Sequence, residues 1–253
     1  MPETRIGSHV NDASRLRLRG KDTLSEVIGT MSFSQGFYLA VTGREPTPAQ
    51  SRVFDAALLL LMDHGLTPSA LVARLVADSS PDDEQIPLAA GALMIGNRFA
   101  GTMAGAGRLL SEGHAFAGDK RVWADQLVAR MRQAKQRLPG FGHNAYKGED
   151  PRATRLFDIA REAGVEGSYI ELIHILGEAA DAAAGKHIVL NATGALGAVL
   201  HEIRFPVEAM RSVAVVARVA GLSAHILEER TAPIANALLN HSETFTYSEE
   251  GNV

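Results

Sequence analysis

Four places in this 253-residue chain combine residue types suited to acid–base or carboxylate chemistry. The most pointed is Pro139–Gly140–Phe141–Gly142–His143. Two glycines flanking an aromatic leave backbone N–H groups uncovered and set the imidazole of His143 in a loop. A loop histidine is better placed for proton transfer than one on a helix face. The plainer reading is a turn with an incidental histidine. Asp150–Pro151–Arg152–Ala153 follows seven to ten residues later and puts Arg152 on the first turn of a helix. A guanidinium there can bind a carboxylate through two parallel hydrogen bonds. His64, in Asp63–His64–Gly65, ends another helix. The negative end of the helix dipole favours a histidine at that position. A donor on a rigid helix end can also be aimed at a bound carboxylate. Arg218 sits inside the apolar run SVAVVARVAGLSAHIL. An arginine among Val and Ala is costly to bury without a partner. That partner is either a structural carboxylate or a ligand carboxylate, and both readings stay open here.

Other chemistries find no support. The remaining histidines, at 9, 114, 174, 187, 201, 225 and 241, have no zinc-site spacing. No HExxH, P-loop, GxGxxG or G-x-S-x-G signal stands out, so no metal site is expected and a serine hydrolase is disfavoured. The absence of cysteine removes a disulfide framework, a thiolate zinc site and a cysteine nucleophile. Lys and Arg total 25 against 29 Asp and Glu, which disfavours a nucleic-acid binder. The basic residues Lys120, Arg121, Arg130, Arg132, Lys135 and Arg137 lie on one helix, as a solvated face or a docking surface for phosphates.

The elements that must position these residues are helical almost throughout. Segment 47–63 has Thr47 as N-cap candidate, Pro48 at the first helical position and Gly65 as a C-terminal stop. A second helix opens at Pro68, capped by Thr67. Segment 85–110 reads as one long apolar helix whose Gly96, Gly101, Gly105 and Gly107 permit close helix approach. Further helices are expected at 118–138, from Pro151, and at 168–184, 190–202 and 207–228. The stretch 15–19, alternating Arg and Leu, is the one candidate edge strand. The class is therefore all-α, with ten or more helices. Composition shifts near 111–118 and 204–206 suggest a large helical domain of 1–107 and 206–253, with a smaller helical domain of 108–205 inserted. Hydrophobic residues make up 46% and charged residues 21%, as in soluble globular proteins. The N-terminus has no apolar leader segment and no run of 18 apolar residues occurs, so a cytoplasmic location with no membrane partner is expected.

Taken in order, these motifs resemble the citrate synthase superfamily over about residues 18–229. Residues 32–46, SFSQGFYLAVTGREP, are similar to its "SFEEVVYLLLTGELP" helix and turn. Residues 61–69, LMDHGLTPS, resemble its first catalytic histidine motif. GFGH at 140–143 with DPRA at 150–153 matches "GFGHRVYK…DPRA". Asp63–His64–Gly65 resembles the "ADHG" of the citryl-CoA lyase branch, which includes the lyase part of ATP-citrate lyase. In 96–102, Phe99 stands where true citrate synthases place a histidine, and the lyase branch has a similar "GDRFGG".

The resemblance implies roles. His143 would polarise the oxaloacetate carbonyl or hold the citryl hydroxyl. His64, Arg152 and Arg218 would join it in binding substrate carboxylates. The backbone of Pro139, Gly140, Phe141 and Gly142 would cradle the coenzyme A adenine, with Lys147 and Lys186 meeting its phosphates. One departure stands out. The family's proton-moving Asp, in "NVDG", falls on Thr193 of LNATG (190–194). A threonine hydroxyl cannot act as a general base at neutral pH. The implied activity is cleavage of citryl-CoA to acetyl-CoA and oxaloacetate. It would need no resident cofactor, coenzyme A being part of the substrate, and would run in a homodimer or higher homo-oligomer. The alternatives are condensation of citrate- or 2-methylcitrate-synthase type, or a non-catalytic relative that binds coenzyme A and polycarboxylates.

Overall fold

The computed structural model describes residues 3–8, 16–165 and 167–248, with backbone alone for 97–100. His9 therefore lies outside the described residues, as does the side chain of Phe99. The fold is all-α, with eleven α-helices among the described residues. Two compact units divide the chain. One comprises 1–60 and 100–213, the other 61–99 and 214–253. The edges of these units fall inside helices rather than in loops.

In the first unit the expected strand at 15–19 is instead a two-stranded antiparallel pair, β1 (Arg17–Leu18) and β2 (Lys21–Asp22). Arg19 and Gly20 turn between them with positive φ, which shortens the strand. Helix α1 (Phe33–Thr42) opens with a capping box in which Ser32 and Gln35 satisfy each other's backbone N–H groups. Thr47 and Gln50 do the same for α2 (Pro48–Met62). Such a cap contributes about 1 kcal/mol. Phe37 and Tyr38 of α1 meet Phe54 of α2 and Phe205 in one aromatic cluster, with ring centroids 5.2–6.2 Å apart.

The long helix expected over 85–110 is broken. Helix α4 (Gln85–Leu93) stops before Gly96, and α5 (Asn97–Ala115) starts after it. Gly in a helix interior costs about 1 kcal/mol relative to Ala, and Asn favours helix starts, so the chain breaks there. Helix α6 (Lys120–Gln133) is shorter than 118–138, because Asp119 caps it and Lys135 has positive φ. Helices α7 (Pro151–Glu162), α8 (Ser168–Ala184) and α9 (Ala192–Glu202) complete this unit with the start of α10 (Met210–Thr231). α8 packs on α6 and α9, and α7 packs on α9. α9 is the buried centre, its residues 194–200 all buried. The glycines of α5 serve internal contacts. A Cβ on Gly105 would stand 3.1 Å from Pro139, and one on Gly107 2.6 Å from the Met210 sulfur.

The second unit holds α3 (Pro68–Ser79), α4, most of α10 and α11 (Ala235–Ser242). Ala70, Ala73 and Ala77 of α3 pack with Leu222 and Ile226 of α10. Buried Arg74 pairs with Glu229 at 2.5 Å and with Glu228 at 2.5 Å. Glu229 also accepts the N–H groups of Ile234 and Ala235, which starts α11. Segment Val207–Thr231, with a mean hydropathy of 1.3, is long and apolar enough to cross a membrane by length and composition only. Arg218 in its middle and the contacts of Leu222 and Ile226 are those of a helix packed inside a protein.

Candidate active site

The GFGH loop is held by backbone geometry on three sides. Gly140 and Gly142 have φ of +86° and +82°, the left-handed region that glycine adopts without strain. The Gly142 N–H donates to the Val189 carbonyl at 2.7 Å, and the Asn191 N–H to the Gly140 carbonyl at 3.0 Å. A Cβ on Gly140 would lie 2.7 Å from the Gly194 Cα, so loop and α9 can meet only through two glycines. Phe141 turns its ring toward Gly177 of α8, whose missing side chain makes room for it.

This scaffold fixes the tautomer of His143. Its Nδ1 accepts the N–H groups of Ala145 and Tyr146, both at 3.1 Å. The proton of the neutral ring therefore sits on Nε2. Tyr146 stacks on the ring with centroids 4.5 Å apart and also lies under the Arg152 guanidinium, 5.5 Å from its Cζ. Arg152 Nη2 is 3.1 Å from His143 Nε2. Two N–H groups thus face one place, where a single acceptor can be shared between them.

Arg152 is held there by Asp150. Asp150 is buried, and its two oxygens take Arg152 Nε at 2.9 Å and Nη2 at 2.8 Å. The same carboxylate caps α7 through the Arg152 N–H and accepts the Ala192 N–H of α9 at 2.9 Å. Burial pushes the Asp150 carboxyl up. The Arg152 guanidinium and the two backbone N–H groups outweigh this and hold it below the usual carboxylate range.

Thr193 lies at the start of α9, beside this cluster. Its hydroxyl is 2.7 Å from Asn191 Oδ1, which also accepts the N–H groups of Thr193 and Gly194. The Asn191 amide nitrogen donates to the Gly142 carbonyl at 2.8 Å, which fixes the amide's orientation. Thr193 Oγ1 is therefore a donor to Asn191, with only lone pairs left for a ligand. The sequence reading placed Asn191 inside a helix over 190–202; the structure makes it the N-cap of α9, and its bond to Gly142 joins residues 49 apart.

An 800 Å³ cavity opens beside the loop, lined by Phe141, Gly142, His143 and Ile188 together with Arg132 and Arg137. Of the four residues expected to cradle a base, Phe141 and Gly142 line this cavity, while Pro139 and Gly140 pack inward on Gly105 and Gly194. Arg132 and Arg137 came from the basic helix stretch rather than from the motif. Lys147 and Lys186 are exposed next to it in sequence, on either side of a bond from His187 Nε2 to the Gly148 carbonyl at 2.8 Å. His187 Nδ1 lies 2.7 Å from Asp181, which raises the pKa of the ring.

The other two expected residues lie together in the second unit. His64 is exposed in the turn after α2, its Nδ1 hydrogen-bonded to the Asp63 carbonyl. Arg218 donates from Nε to the Leu61 carbonyl and from Nη1 to the Thr67 hydroxyl, both at 3.2 Å. Its partners are thus the end of α2 and the cap of α3, and burial lowers its pKa. His225 and Asp63, 2.8 Å apart, join them.

A family model described as citrate synthase, C-terminal domain, matches residues 9–238. The solved structure of citryl-CoA lyase from Hydrogenobacter thermophilus superposes with a TM-score of 0.89 at 31% identity, covering 100% of this chain and 96% of that one. ATP citrate lyase from Methanothrix soehngenii, solved in complex with citrate and coenzyme A, shares the fold with a TM-score of 0.77 at 20% identity, over 99% of this chain and 42% of that one. Citrate synthase of Synechocystis sp. is 28% identical over 203 residues, 79% of this chain and 50% of the relative. The chain spans about half the length of the curated relatives it matches.

Proposed function

The chain belongs to the citrate synthase family, and from that premise we propose that it cleaves citryl-CoA to acetyl-CoA and oxaloacetate. The observation that carries the reading is the convergence of His143 Nε2–H and Arg152 Nη2 on one place, anchored by backbone N–H groups and buried Asp150. Cleavage of the citryl C–C bond turns a tertiary hydroxyl into a carbonyl. Negative charge develops on that oxygen as its proton is lost to water. Two fixed donors aimed at the oxygen stabilise this charge without reorganising during the reaction. The bond's electron pair passes to the thioester-stabilised enolate of acetyl-CoA, which takes a proton to become the methyl group. Arg152 of the first unit is a carboxylate binder, and in the second unit Arg218 holds the turn that carries the exposed His64, a further carboxylate donor in this reading. Arg132 and Arg137 give the cavity beside Phe141 the positive charge that a phosphorylated coenzyme calls for. In this reading coenzyme A enters as part of the substrate and no resident cofactor is required.

Cleavage is favoured over condensation by likeness: the solved citryl-CoA lyase is 31% identical with a TM-score of 0.89, against 28% identity for citrate synthase of Synechocystis sp.. Thr193, donating to Asn191, supplies no carboxylate at the acetyl carbon in either direction, so in this reading the enolate takes its proton from water.

The test is turnover of citryl-CoA by the purified protein, with oxaloacetate followed through malate dehydrogenase and NADH, beside a His143→Ala control. Oxaloacetate release that falls about 100- to 10,000-fold in the variant supports the reading. Release of free coenzyme A from acetyl-CoA and oxaloacetate would move the assignment to a synthase. Coenzyme A raising the melting temperature with no turnover in either assay would leave a binding protein.

A further inference from the structure

In the second unit, one face of α10 grips the turn that carries His64. Arg218, Gly221 and His225 are three and seven residues apart on that helix and so share a face. Arg218 holds the Leu61 carbonyl and the Thr67 hydroxyl. At Gly221 the helix lies so close to the Met62 carbonyl that no Cβ would fit. His225 Nε2 lies 2.8 Å from Asp63 Oδ1, and Asp63 Oδ2 accepts the Gly65 N–H at 3.0 Å. Asp63 therefore ties α10 to the turn on the far side of His64. Gly65 has φ of +68°, so the turn depends on this short set of bonds rather than on helical continuity.

His225 is the member whose presence needs a reason. Its Nδ1 is buried and has no partner among the described residues. Asp63 is an acceptor, so Nε2 carries a proton and donates to it, while Nδ1 makes no hydrogen bond among the described residues. A buried nitrogen without a hydrogen bond is a net cost. An apolar side chain of similar volume would fill the space without that cost. What remains to account for an imidazole is the bond from Nε2–H to Asp63. Partial burial raises the Asp63 carboxyl, but the Gly65 N–H and His225 outweigh it and keep the group ionised.

We propose that His225 is a positioning residue for the reaction: its Nε2–H, through Asp63, holds the 63–65 turn so that His64 meets the substrate. This rests on the reading of His64 as a substrate-binding residue.

The experiment compares His225→Leu, His225→Gln and Asp63→Asn in the full-length protein. One readout is deuterium uptake over 61–67, the other is kcat and KM for citryl-CoA. Faster uptake in His225→Leu is expected, with a fall in kcat of up to about 100-fold, the scale set by small misplacements of a binding group. Affinity for coenzyme A should be unchanged. His225→Gln, whose amide N–H reaches a similar position, should restore most of both. The losses in His225→Leu and Asp63→Asn should not add when combined, because they remove one interaction. Wild-type uptake in His225→Leu would overturn the proposal. So would faster uptake with unchanged kcat, or a loss that glutamine does not rescue. A wild-type protein without turnover would sink the proposed reaction instead, and the uptake comparison would still decide whether His225 holds the turn.

Discussion

Asp150 stands with one oxygen 2.9 Å from Arg152 Nε and the other 2.8 Å from Arg152 Nη2. This two-pronged pair aims the guanidinium at His143, while the same carboxylate reaches the first N–H of α9. One buried charge therefore sets the relation of loop, α7 and α9.

Asp150→Asn should weaken that relation. Removing one partner of a fully buried pair costs roughly 3–5 kcal/mol. Arg152 keeps 29% of its side chain exposed, so a smaller loss of about 2 kcal/mol is expected, read from urea unfolding. The folded-state pKa of Asp150 is depressed. Its stabilisation is thus complete above the unfolded value near 3.9 and is lost as pH falls through the folded one. The gap between wild type and variant should shrink below about pH 4. A gap that widens with acid would contradict this assignment.

Gly140→Ala combines two penalties. Its φ is +86°, and the new Cβ would stand 2.7 Å from the Gly194 Cα, which is backbone and cannot turn aside. Left-handed backbone alone costs an alanine about 1–2 kcal/mol. A total loss above about 2 kcal/mol is expected, with weaker coenzyme A binding by calorimetry. Gly142→Ala has the same backbone penalty but open space around its Cβ, so it should be the milder change.

His187 provides a pH-dependent hold on the 143–149 loop. Its two nitrogens face the Asp181 carboxylate and the Gly148 carbonyl, both acceptors, so both bonds form only in the imidazolium. Its pKa is raised, chiefly by the bond to Asp181. The stabilisation is therefore complete below the unfolded value near 6.5 and is lost as pH rises through the higher folded value. Amide exchange in 143–149, corrected for intrinsic rates, should quicken across that window in wild type. A His187→Phe variant should exchange quickly at every pH. Exchange independent of pH in the wild type would rule the hold out.

Glu229→Gln tests the second unit by itself. Glutamine can still accept the N–H groups of Ile234 and Ala235 but leaves buried Arg74 with exposed Glu228 as its charged partner. A loss of about 3 kcal/mol is expected, near the lower end for a broken buried pair. As the carboxyl is held below its usual range by Arg74 and these N–H groups against the effect of burial, its contribution should fade as pH drops below about 4.3. Chemical denaturation at pH 7 and pH 3.5 measures both.

What the sequence determined by itself is the helical class, the closeness of the GFGH and DPRA segments, and the cap at Thr47. These depend on neighbours within a few residues, where periodicity, proline geometry and short side-chain bonds act. The break between α4 and α5 was also written locally, in Gly96–Asn97, but a continuous apolar pattern masked it. Tertiary structure alone decided the rest. Asp150 meets Ala192 across 42 positions, Asn191 meets Gly142 across 49, and Arg218 and His225 meet the His64 turn across 157 and 162. It also gave Arg218 the Leu61 carbonyl and the Thr67 hydroxyl as partners, where the sequence had left a structural or a ligand carboxylate open. Such contacts exist only once helices far apart in the chain are brought together by burial. Burial is non-directional and leaves no spacing in the sequence to read.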